Sequence, residues 1–117
     1  MALRRVPYTT DICVYAGIFC KTWSVPEADA LIPQHAHSHP HITLLVSGAV
    51  RLFRGGAAGR MEVAGEYRAP AMIKIPAKQF HHFLTLAPDT TLACIHASRL
   101  IDGEPEIEAE NTVWTEG

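Results

Sequence analysis

Four of the seven histidines crowd into Gln34-His35-Ala36-His37-Ser38-His39-Pro40-His41. In an extended strand alternate side chains share a face. His35 and His37 therefore project together, close enough for both imidazoles to hold one ion. Pro40 cannot donate to a sheet ladder and should end or bend that strand. His41 then opens a second run, Ile42–Val46, which can return beside the first. Further along, His81 opens another run with Phe83 on its own face. Two ligands from one strand and one from each of two others would converge on a single metal: His35, His37, His41 and His81. Imidazole donors favour Fe, Ni, Zn or Cu over Mg or Ca, and the donor set does not choose among the four. A His-rich tract can also be a surface feature without a site. Here it is embedded among strand-like runs, which argues for a site. His39 in the bend and His82, facing away from its neighbour, read as structural or exposed. His96 reads as a wall residue rather than a ligand.

The elements that must position these residues are short and β-like. Ile12–Phe19, Ile32–His37, Ile42–Val46, Val50–Phe53, Glu62–Tyr67, Met72–Ile75, Phe80–Leu86 and Thr91–Ala97 are rich in β-branched and aromatic residues. Pro26, Pro70, Pro76 and Pro88 fall between runs, where a missing N–H does little harm. Helical periodicity is nearly absent. Only Glu104–Asn111 could make a turn or two of helix, and it suits an extended edge equally well. The pattern predicts an all-β sandwich or barrel.

Spacing adds a resemblance. His35-x-His37-x3-His41-x6-Gly48 resembles the first motif of the cupin superfamily, and Pro76-x4-His81 resembles the second. The resemblance covers Gln34 to Thr85 through the motifs, and most of the chain through the strand pattern. It implies a double-stranded β-helix, the jelly-roll barrel of small single-domain cupins, with the metal held by the four histidines already named. The chain departs from the motifs at several positions. Asp29 stands where the family opens its first motif with glycine, and His41 stands for the usual glutamate. Lys78 replaces a glycine of the second motif, and Thr85 its closing asparagine. Lys78 implies a turn that need not use the left-handed glycine conformation. A fourth neutral imidazole in place of a carboxylate leaves a bound metal its full charge, and so makes it a stronger Lewis acid.

Composition sets the bounds. The 117 residues suit one domain, with a core over about 10–99 and an acidic tail over 100–117. An apolar content of 48% excludes a disordered chain, and a net charge of −2 points to no nucleic-acid partner. The tail reads as solvated. Cys13, Cys20 and Cys94 form no CxxC pair, which argues against a disulfide framework and for a reducing compartment. Met1–Thr10 has no apolar run of the signal-peptide kind, and no stretch suits a membrane helix, so the expectation is a cytoplasmic protein with no membrane partner. Ile12–Phe19 is apolar on both faces. That run near the N-terminus is the candidate for a homodimer interface, with Trp23 and Trp114 as cover.

Two functional classes follow. The first is a metal-dependent enzyme, foremost a dioxygenase, acting on a small organic molecule through an enolate, thiol or catechol-like group. The second is a non-catalytic module that senses a small molecule or a metal. A metal-free barrel is the third and least favoured reading, because four convergent imidazoles are costly to bury without a partner. No general acid or base stands out. Tyr67, Lys74, Arg51 and His96 could face the barrel, whereas Glu62 and Glu66 need not.

Overall fold

A computed structural model describes residues 3–33, 40–55, 60–97, 100–101, 104–105 and 114–116. Thirteen strands and no helix are described: β1 Leu3–Arg5, β2 Thr9–Tyr15, β3 Ile18–Val25, β4 Ala30–Pro33, β5 His41–Ser47, β6 Ala49–Gly55, β7 Met61–Arg68, β8 Ala71–Ile75, β9 His81–Thr85, β10 Thr90–Ala97, β11 Leu100–Ile101, β12 Glu104–Pro105 and β13 Trp114–Glu116. Among the described residues no helix is long and apolar enough to cross a membrane. The strands form a six-stranded sheet in the order β1-β13-β4-β9-β6-β7 and a five-stranded sheet in the order β2-β3-β10-β5-β8, with β11 and β12 paired separately. All pairings are antiparallel. The alternation predicted an all-β sandwich or barrel, and this is the jelly-roll barrel that the resemblance implied.

Alternation also builds the core. Phe19, Lys21, Trp23 and Val25 are the inward residues of β3, and the residues between them are partly exposed. Register carries this face across the five-stranded sheet in rows. Phe19 pairs with His96 and His41 with Ile75, and one step deeper Lys21 pairs with Cys94 and Thr43 with Ile73. The deepest row joins Trp23 to Leu92 and Leu45 to Ala71. Ile32, Val50, Leu52 and Phe83 close the core from the opposite sheet.

Several expectations need correction. The run Ile12–Phe19 is not one strand. Ala16 and Gly17 both have positive φ, 52° and 75°, and reverse the chain into a β2–β3 hairpin whose inner strand continues to Val25. Two consecutive left-handed residues match the right-handed twist of paired strands, which is why a tight hairpin sits there. Trp23 is core, 2% exposed, and so covers no interface. β2 is a sheet edge, and Ile12 and Val14 on it are each 37% exposed. In the acidic tail, β13 lies between β1 and β4 in the six-stranded sheet.

β5 does not return beside β4. It pairs with β10 and β8 in the other sheet, so the chain changes sheets between Pro33 and His41. Gly48 alone joins β5 to β6. Its φ is +80°, and a Cβ there would lie 2.2 Å from Thr90 Oγ1 and 2.7 Å from Thr90 Cα. The glycine is required twice over, by conformation and by space.

Candidate metal centre

His41 begins β5 in one sheet, and His81 begins β9 in the other. Both are buried, and their ring centroids lie 5.3 Å apart at a 44° tilt across the mouth of the barrel. Two imidazoles bound to one ion through nitrogen, at about 2.1 Å, have ring centres roughly 4.5–5.5 Å apart. The spacing therefore suits a shared metal.

A backbone carbonyl orients the His81 ring. Its Nδ1 lies 3.2 Å from the Gln79 carbonyl oxygen. A carbonyl only accepts, so Nδ1 carries the proton and Nε2 keeps its lone pair. That Nε2 is sealed from solvent, as are both ring nitrogens of His41. Phe83 packs edge-on to the His81 ring at 5.8 Å and forms the floor. His82 faces the other way and is only partly buried.

His35, His37 and His39 lie outside the described residues. The described residues on either side of them, Pro33 and Pro40, both lie at this mouth. Along β4, Leu31 pairs with Leu84, Ile32 with Phe83 and Pro33 with His82, so the chain leaves β4 beside His81. It re-enters the described structure at Pro40 and arrives at His41. Among the described residues no group of three His, Cys, Asp or Glu side chains is placed to hold a metal. His41 and His81 are the two ligand candidates brought together there. His96 sits on the inner wall one strand from His41, stacked on Phe19 at 4.6 Å with its Nδ1 2.8 Å from the Ala97 carbonyl.

The register that delivers this geometry is set at the opposite end of β9. Thr85 Oγ1 donates to the Glu27 carbonyl at 2.8 Å and accepts the Ala30 N–H at 2.9 Å. Its own carbonyl accepts the Asp29 N–H at 2.8 Å. This buried hydroxyl ties the 26–29 loop to β9. Asp29 takes the left-handed conformation at φ 60°, and so does Lys78 at φ 61°. The turn keeps the left-handed geometry, and a lysine bears the steric penalty that glycine would avoid.

Two cationic residues were not legible as site residues. Arg54 pairs with His81 across β6 and β9, so it shares the inner face at the mouth. A cavity of about 200 Å³ there is lined by Arg54, Tyr67, Lys74, Gln79 and His81 among others. Lys21 is 1% exposed, with its ammonium 4.5 Å from the Trp23 ring centre, one row below His96 and His41. The period-two pattern of β3 was the signal for Lys21, but it lay hidden once Ile12–Phe19 was read as one strand. Arg51 is a solvent-facing residue, paired with Glu66 at 2.6 Å, and Lys74 is exposed at the sheet edge rather than inward.

No protein-family model matches the sequence, and no curated protein matches it. Solved structures do. The hydroxypropylphosphonic acid epoxidase of S. wedmorenis matches 76% of this chain at 12% identity with a TM-score of 0.61, and this chain spans half its length (50%). A substrate-bound iron(II) form of HppE also matches with a TM-score of 0.61, at 10% identity over 76% of this chain and 53% of its own. Bacillus subtilis oxalate decarboxylase, studied for its Mn(II) centres, matches 76% of this chain and 23% of its own at 12% identity, with a TM-score of 0.58. KdgF from Halomonas sp. is similar over 87% of this chain and 90% of its own, at 15% identity and a TM-score of 0.61. The chain has the cupin fold.

Proposed function

We propose that this chain is a metal-dependent cupin enzyme, of oxygenase type, acting on a small organic anion, with the metal held by His35, His37, His41 and His81. One observation carries the reading. Pro33 and His41, the described residues on either side of His35, His37 and His39, lie at the barrel mouth where His41 and His81 face each other from opposite sheets. The comparisons with iron(II) and Mn(II) proteins of the same fold support a divalent transition metal. Such an ion would supply Lewis acidity when bound, and Fe, Mn, Ni or Cu would supply one-electron chemistry as well.

The chain's own residues supply the rest. The Gln79 carbonyl orients His81 through Nδ1, the outer contact that fixes a ligand imidazole. Phe83, Phe19 and Ile75 give the site an apolar wall. Arg54, beside His81, favours a substrate bearing a carboxylate or enolate, and the buried Lys21 adds positive potential from below. A second copy pairing along the backbone of edge strand β2 would complete a homodimer.

Elemental analysis of untagged protein tests the reading, with a His37→Ala, His81→Ala double variant alongside. Near-stoichiometric Fe, Ni, Zn or Cu, or Mn, lost in the variant, is the expected result. Wild-type protein that carries no metal and takes none up on reconstitution would overturn it. Metal bound with no turnover across small carboxylates and catechols under air would leave the sensing module as the better account.

A further inference from the structure

The β2–β3 hairpin places two thiols where the sequence shows no CxxC pair. Cys13 and Cys20 are directly opposite one another in the antiparallel register, one on each strand. Directly opposite residues point to the same side of a sheet, and here Lys21 and Phe19, the neighbours of Cys20, point inward. Both thiols therefore lie on the outer face of the five-stranded sheet. Cys13 is exposed, Cys20 partly so, and neither is in a disulfide. Cys94 is buried on the inner face, 3.7 Å from Thr43 Oγ1.

We propose that Cys13 and Cys20 form a reversible cross-strand dithiol–disulfide site, oxidised by peroxides and reduced by dithiols. Opposed residues in an antiparallel pair have Cα atoms about 4.5–5.5 Å apart, within the range a disulfide spans. Their Cβ atoms, about 4.5–5.5 Å apart, must close toward about 3.8 Å. The bond is therefore formed under mild strain, which makes it easier to reduce than a structural disulfide. The steps balance. The Cys13 thiolate attacks one peroxide oxygen, giving a sulfenic acid at Cys13 and, with hydrogen peroxide, releasing water after proton transfer. The Cys20 thiol then displaces the sulfenic oxygen as a second water, leaving one S–S bond. Two electrons pass from the two sulfurs to the peroxide. A dithiol reductant returns two electrons and two protons, and is itself oxidised to a disulfide.

The site is independent of the metal reading but adjoins it. Cys20 follows Phe19, whose ring stacks on His96, so closing the bond tightens the strand that supports the inner wall. Pairing of a second copy along the β2 edge would engage backbone and leave the outer sheet face open.

The full-length chain is treated with a small excess of hydrogen peroxide, denatured in N-ethylmaleimide and weighed intact, followed by peptide mapping. The expected product is two hydrogens lighter than the reduced chain before alkylation. It carries one maleimide, on Cys94, and yields a Cys13–Cys20 linked peptide; dithiothreitol restores three alkylated thiols. Cys13→Ser and Cys20→Ser each remove the crosslink and leave the fold intact by circular dichroism. Three alkylated cysteines after peroxide, a Cys13 bridge between two chains, or over-oxidised Cys13 beside an alkylated Cys20 would each overturn the proposal.

Discussion

Replacing Thr85 by valine isolates the hydroxyl that sets the register of β4 against β9. The two side chains are similar in volume, so the change removes one oxygen and little shape. That oxygen serves two backbone groups, the Ala30 N–H at 2.9 Å and the Glu27 carbonyl at 2.8 Å, at a residue with no solvent exposure. Leaving a buried backbone group without its partner costs about 1–3 kcal/mol, so losing both bonds should destabilise the domain by about 2–4 kcal/mol. Thr85→Ser keeps both bonds and loses one methyl, a cost of about 1 kcal/mol. Urea unfolding of the three proteins measures both differences directly. On the proposed ligand set, metal content should fall in the valine variant as well, because β4, which leads into the histidine tract, pairs with β9 beside His81. A valine variant within about 0.5 kcal/mol of wild type, or a serine variant as unstable as valine, would refute the argument that the hydroxyl acts through these two bonds.

Gly48→Ala should cost more than about 3 kcal/mol or prevent folding, since the clash reaches Thr90 Cα as well as its side chain; thermal melts check this. Lys78→Gly should be neutral to stabilising by up to about 1 kcal/mol, because the relief of its left-handed φ of 61° offsets glycine's extra chain entropy; a clear loss of stability in urea would count against the strain reading. Arg54→Gln should leave metal content unchanged while weakening binding of a simple dicarboxylate to the metal-loaded protein about tenfold, measured by calorimetry, the scale of one lost charge-assisted contact. Sedimentation should give twice the 12.8 kDa chain mass if β2 pairs with a second copy.

The alternation of apolar and polar residues was enough for the all-β class, because a period of two survives in any half-buried strand whatever its partners. The motif spacing placed His41 and His81 in one site for a similar reason: each opens a strand, and their distance from the flanking prolines is a local property. Partners and sheet membership were not local. Whether β5 returns beside β4 or crosses to the other sheet depends on which sheet offers it a bonding edge, and no pattern within Ile42–Val46 records that. Ala16 and Gly17 split an apolar run because both adopt positive φ, which an alanine does not advertise. Lys21 looks like a surface residue until the face of β3 is known. Arg54 joins the site only because β6 and β9 pair in a register that sets it beside His81. Asp29, Lys78 and Thr85 depart from the motif in residue type yet sit in tight backbone geometry, with two left-handed residues and one hydroxyl clamp. The sequence alone determined the class of fold, which follows from short-range period, and supplied the imidazoles on which the proposed ligand set rests. Tertiary structure decided which strands meet, and so which charges and which thiols face one another, because pairing across sheets is a long-range choice made by the whole core at once.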